Sequence, residues 1–371
     1  MTNPISYATP LDARPLPFTD RRTSILVVGV FLILMGALSG CIGVASPVGM
    51  LLASVVPAPR GGATGGGATR PVAAPFPFDW RTAASAMLIY AAVAVFWIWV
   101  GIGAVKTRRW VRPLMLIVGW TWLVSGVVGV VYWAVQSPGL VDAMAASAPP
   151  GSPRPPVRVF QVIFWSTGVA MTLFMVVLPA LLVWLFSRKG VRETVEHFDP
   201  VTRWTDRCPM PVLAVSLWLV AAAAACLMYT FYAVLPLAGV IVTGPLAAAG
   251  TVLVAAVFAV LAWQTYRLRP AAWWGALVVV VLWATNTVWT FSRTGWAEFY
   301  RQSGYSPQQT ELMMRYSGGS GNGMLWAIGF WTVVLVAYLM YARKYFRPAD
   351  STPDPTAPPA PPAPPAEPTP S

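Results

Sequence analysis

Residues 210–264 read "MPVLAVSLWLVAAAAACLMYTFYAVLPLAGVIVTGPLAAAGTVLVAAVFAVLAWQ" and contain no Asp, Glu, Lys, Arg or His. As one helix at 1.5 Å per residue the tract would reach roughly 80 Å, against about 30 Å of bilayer hydrocarbon. It therefore has to cross twice or fold otherwise. The middle of the tract, "LPLAGVIVTGP" at 235–245, carries Pro236, Gly239, Gly244 and Pro245, which supply the turn. Splitting the tract there fixes the span count, and through it the side on which every other loop lies.

The same logic extends outward. Further charge-free runs long enough to cross occur along the chain. The expected spans lie near 24–44, 84–104, 113–134, 159–186, 211–234, 245–265, 272–292 and 324–342. The reading is an all-α integral membrane protein, a polytopic bundle of eight helices. Residues 1–23 form an N-terminal segment, 24–345 the membrane domain and 346–371 a tail. Composition agrees: mean hydropathy is +0.62 and only 10% of the residues are charged, against about 25% in soluble domains. The 19 tryptophans gather near the ends of apolar runs, where an amphipathic ring is half wet.

The net charge of +12 raises nucleic acid as a partner class. The basic residues sit beside the spans, however, which fits anionic lipid headgroups better. With the N-terminal side taken as inside, 17 of the 25 Lys and Arg residues fall on inside segments. That bias places both termini in the cytoplasm. A seven-span chain would divide the bias between the two sides. A different seven-span chain would follow from cleavage, because "LSGC" at 38–41 follows Arg21, Arg22 and an apolar run like a lipoprotein cleavage box, with Cys41 then the lipidated outer N-terminus. The long segment before that run, and the apolar "IGVASPVGMLLASVV" after Cys41, favour an ordinary first helix.

Two inner turns, "RRWVRPLMLIVGW" and "YRLRPAAWWGALVV", enter the third and seventh spans alike, and the fourth and eighth spans end in "SRK" and "ARK". The chain can thus be two four-span halves in parallel orientation. The Gly-rich segment 58–80 reads as a tether, 135–158 as irregular and 349–371 as a Pro/Ala-rich, disordered, polyproline-prone tail. In "GYSPQQTELMMRYSGG", Ser306, Pro307 and Gln309 mark the start of a short helix, with Leu312 and Tyr316 on one face.

Candidate chemistry is sparse. No ionisable residue lies in a span core, which lowers the prior for proton or ion relays. Cys41, Cys208, Cys226 and His197 are the only Cys and His residues, and the three cysteines lie far apart in sequence, so no metal centre and no cofactor are expected. The densest polar cluster, "WATNTVWTF" at 283–291, offers Asn286, Thr287 and Thr290 as the lining of a polar cavity or as interhelical hydrogen bonds. The tracts "AAAAA" at 221–225 and "GVVGVVYW" read as close helix packing.

The segment 188–207 carries nine charged residues in twenty positions. Arg192, Arg203, Trp204, Asp206, Arg207 and Cys208 are the candidate contacts for lipid headgroups or a partner subunit. Asp206 or Thr205 can cap the fifth span, and Pro209 and Pro211 suit its first turn. Cys208 as a nucleophile would need His197 as its base. The preferred function is a non-catalytic scaffold or accessory subunit among other membrane subunits. Alternatives are a small-molecule or lipid transporter, and a membrane enzyme working through this loop.

The segments "RWTDRCPMPVLAVSLWL", "FYRQSGYSPQQTELM" and "RRWVRPLMLIVGWTWLVSG" resemble parts of a poorly characterised family of multi-pass inner-membrane proteins of bacteria, of planctomycete- and verrucomicrobia-like lineages. The resemblance covers most of 100–345. It implies an intact membrane domain and carries no catalytic residues.

Overall fold

The computed structural model describes residues 19–55, 80–146, 157–316 and 322–346. Among these, eight helices are long and apolar enough to cross a membrane. The chain runs α1 (Arg22–Val55), α2 (Trp80–Val105), α3 (Val111–Ala146) and α4 (Val157–Thr172). A π-helical turn, Leu173–Val177, joins α4 to α5 (Leu178–Ser187) as a single span. Then follow α6 (Lys189–Phe198), α7 (Met210–Tyr229), strands β1 (Val234–Leu237) and β2 (Val240–Thr243), α8 (Pro245–Tyr266), α9 (Pro270–Gln302), α10 (Pro307–Tyr316) and α11 (Asn322–Ala342). Eight crossings bring the start of α1 and the end of α11 to the same end of the bundle. This is called the basic end below.

The turn in the long uncharged tract is a β-hairpin, the one departure from an all-helical chain among the described residues. Leu237 pairs with Val240, and Ala238 and Gly239 between them both have positive φ, +50° and +85°. That is the two-residue turn whose twist suits a tight hairpin. The fifth span consequently ends at Tyr229 rather than near 234. Three other bounds differ. α1 continues to Val55, past the expected 44. α3 continues to Ala146, so 135–146 is helical and not irregular; "LVDAMAA" is rich in good helix formers. α9 reaches Gln302 only across a break at Gly295 (φ +72°), so the straight spanning part stops close to the expected 292. Segment 58–79, the tail from 347 and most of 147–158 fall outside the described residues.

Two apolar cores divide the bundle by sequence halves. One is built from α1, α2, α3, α5 and α6, with Leu114, Met115 and Phe186 fully buried; the other mainly from α7, α8, α9 and α11, with Val212, Leu213, Ala262 and Trp273. Trp204 packs against both. The two inner turns paired in sequence also share one geometry. Thr107 (φ +51°) and Leu268 (φ +59°) are left-handed. Arg108 N–H donates to Gly103 O and Arg269 N–H donates to Gln264 O, five residues back in each case.

Small residues set the closest approaches. A Cβ on Gly29 of α1 would lie 2.9 Å from Gly101 O of α2, and one on Gly101 would lie 2.7 Å from Gly29 O. In α3, a Cβ on Gly126 would sit 1.8 Å from Met175 O in the π-turn, whereas Gly129 has 3.7 Å of room. The alanine run is used unevenly. Ala223 is buried in the core, while Ala222 and Ala225 line a crevice and so do not serve close packing alone.

Candidate functional site

The charged segment after the fourth span is not a loop throughout. Lys189–Phe198 is an amphipathic helix whose buried face is Val191, Thr194 and Val195. This face packs into the first core. Thr194 Oγ1 accepts Arg21 N–H at 3.1 Å, which ties α6 to the start of α1. A short 3-10 turn, Trp204–Asp206, then leads to Pro209, the N-cap of α7.

The centre of this region is a residue outside the expected contact set, Asp199. Its side chain is 3% exposed. Arg203 holds it with two hydrogen bonds, Nη2 to Oδ1 at 2.7 Å and Nε to Oδ2 at 3.0 Å. Arg109 N–H donates to Oδ2 at 3.1 Å, and Arg108 Nη1 lies 3.8 Å from Oδ1. The hydrogen bonds from Arg203 outweigh burial and hold the Asp199 carboxyl below its ordinary range, while the same contact raises Arg203. Asp206 joins the network: its Oδ2 accepts Arg203 N–H at 2.9 Å and pairs with Arg109 Nε at 3.2 Å. It closes the 3-10 turn and does not cap α7, because its carboxylate points back along the chain. Thr205 Oγ1, the second cap candidate, is buried with no hydrogen-bond partner among the described residues. Two carboxylates thus pin the 106–112 turn to the 199–207 segment.

Of the expected contact residues, Arg203 and Asp206 lie inside this network. Arg192 is exposed and pairs with Glu196 at 2.9 Å. Arg207 is exposed. Trp204 is half-buried, and its carbonyl accepts Tyr266 Oη–H at 2.8 Å. Cys208 is 5% exposed within the second core. Its Sγ lies 3.5 Å from Pro209 O, and burial pushes the thiol up to about 11. A thiol so placed is protonated at neutral pH and is a poor nucleophile. His197 lies on the exposed side of α6 with its ring edge-on to Phe198.

The polar cluster on α9 is also brought to a definite task. Asn286 Oδ1 accepts Ala238 N–H at 2.7 Å and Asn286 Nδ2 donates to Pro236 O at 2.9 Å. Thr290 Oγ1 accepts Gly239 N–H at 3.0 Å. These side chains grip the tip of the hairpin, where the backbone has no further strand to pair with. A Cβ on Gly239 would lie 3.0 Å from Trp289 Nε1, so the tip lies directly on α9. Only Thr287 of the three lines a cavity, and that cavity is apolar; its hydroxyl donates to Trp283 O. The signal for the clamp was present as polar residues at i and i+4 facing a Gly-containing turn. Nothing local to either segment linked them.

At the basic end, cations lie over aromatic faces: Arg188 over Trp184 at 3.5 Å, Arg267 over Trp263 at 4.6 Å and Lys344 over Tyr341 at 4.4 Å. Such pairs suit a headgroup layer, with the ring at the apolar boundary and the charge beyond it. Among the described residues, no three His, Cys, Asp or Glu side chains gather as a metal site would require.

Nothing among family models, curated proteins or solved structures matches the chain. The class rests on the fold itself: a multi-pass helical membrane protein with a braced, arginine-rich face at one end.

Proposed function

We propose that the protein is a non-catalytic scaffold or accessory subunit of a larger complex in a bacterial inner membrane. Its basic end and both termini face the cytoplasm. The carrying observation is the junction around Asp199. It fixes α6, the 106–112 turn and the start of α7 into one surface, with Arg192 and Arg207 exposed on it. Rigid presentation of charge suits docking to a partner or to anionic lipid. The other classes draw less from the geometry. Asn286 and Thr290, the best residues for a polar path, are committed to the hairpin. The Cys208 thiol is buried and protonated.

The test is purification in native nanodiscs, with mass spectrometry of everything retained. A partner protein at fixed stoichiometry is expected. Arg207→Glu should weaken its retention, and Cys208→Ala should leave it intact. A clean monomer after gentle crosslinking would overturn the scaffold reading.

A further inference from the structure

Between α7, α9 and α11 lies a crevice of about 500 Å³, within the roughly 300–1,000 Å³ of sites that enclose small ligands. Trp218, Ala222, Ala284, Thr287, Trp331 and Leu339 are among its walls, and no lining side chain is charged. α11 is held at its basic end, where Trp273 Nε1 donates to Leu339 O at 2.7 Å and Trp218 packs on Tyr338. Away from that pin the crevice separates α11 from α7. A void of this size left empty would forfeit dispersion contacts along its walls. Its apolar lining gives water few partners. Hydrocarbon is the occupant that its chemistry accepts.

Length and charge narrow the choice. Along α11 the lining runs from Leu339 to Ala327, about 18 Å of helix rise. That is close to half of a hydrocarbon layer about 30 Å thick, the depth of one leaflet's acyl chains. Arg343 follows Leu339 by one helical turn, past the basic end of the crevice, with its guanidinium 5.2 Å from the Trp273 ring. Lys344 follows it over Tyr341. Among the described residues, neither cation takes part in an ion pair. An apolar slot one leaflet deep thus lies one helical turn from two cations that have no ion pair among the described residues.

We propose that this crevice is a binding site for one anionic phospholipid. An acyl chain lies between α7, α9 and α11, and the phosphate meets Arg343 and Lys344. The site is separate from the Asp199 junction and does not depend on the scaffold reading.

The test uses the full chain in nanodiscs of phosphatidylcholine containing a minority of phosphatidylglycerol. The protein is then released into mild detergent for native mass spectrometry. The wild type should retain one phosphatidylglycerol. Arg343→Gln, on an exposed side chain, should lower that retention about fivefold, the effect of one headgroup cation, and Arg343→Lys should restore most of it. Ala284→Phe should abolish retention of either lipid by filling the slot. Should that variant fail to fold, the Arg343 pair still decides. Equal retention of both lipids, no retained lipid, a neutral isoprenoid in the site, or Arg343→Gln behaving as wild type would each overturn the proposal.

Discussion

Asp199 is a nearly buried carboxylate that keeps its charge because three donors and the Arg108 guanidinium converge on it. Removing it returns the partly exposed Arg203 and Arg108 to water but strands the Arg109 N–H and unties the 106–112 turn from the 199–207 segment. Asp199→Ala should therefore lower the thermal midpoint in detergent by several degrees, and Asp199→Asn by less, since the amide oxygen still accepts one bond. The pH dependence has a definite sign. The folded carboxyl titrates below its ordinary value, so its contribution is complete above the unfolded value of about 4 and is lost as pH falls through the folded one. Wild type and Asp199→Asn should converge in stability at low pH and diverge above about pH 5; parallel curves would refute the assignment. Cys208 gives a second test at this scale. With the thiol pushed up to about 11, alkylation at pH 8 in a Cys41→Ser, Cys226→Ser background should be slow until the protein unfolds. Prompt labelling of the folded protein would reopen nucleophilic chemistry there.

Among the elements, the fourth span shows how a local irregularity fixes a contact. The π-turn at Leu173–Val177 carries Met175 O into the surface of α3 at Gly126, and Trp122 Nε1 meets Met175 Sδ at 3.4 Å beside it. The neighbouring atom is backbone and cannot swing away, so Gly126→Ala forces the two spans apart. Overpacking of this kind costs about 1–3 kcal/mol. Gly129→Ala, with 3.7 Å available, should be close to neutral in the same thermal scan. Equal effects would mean that α3 and the fourth span do not meet as described. Sequence made part of this legible. Charge-free runs betray spans because a bilayer tolerates no unpaired charge, and all eight were placed. The capping signal at Ser306 also held locally: Ser306 N–H donates to Gln309 Oε1 at 2.8 Å and Gln309 N–H donates to Ser306 Oγ at 3.2 Å. Illegible were contacts closed across the chain. Arg109 and Asp199 are 90 residues apart, Asn286 and Ala238 are 48 apart, and a four-residue strand in an all-apolar tract shows no alternation to read. The Leu312–Tyr316 face concerns side chains outside the described set.

At the scale of the whole molecule, each sequence half owns a core, and the halves meet through few bonds. Trp218 Nε1 on α7 donates to Thr121 Oγ1 on α3 at 2.9 Å, and Trp204 packs against both cores. This arrangement only holds if the uncharged tract makes two crossings separated by the hairpin. Were it one crossing, α9 and α11 would be inverted, and the Arg267, Arg343 and Lys344 cations would leave the end where Arg188 and Arg22 lie. The consequence is a topology measurable in cells. Reporters inserted within 190–200 and after residue 345 should report the same side, expected from the positive-inside bias to be the cytoplasm. A reporter at 310, next to α10, should report the opposite side. Because α6 and α10 are separated by three crossings, any result placing 195 and 310 together removes the hairpin from its turn between spans. It would dissolve the second core as well, since Trp273 could then no longer donate to Leu339 O.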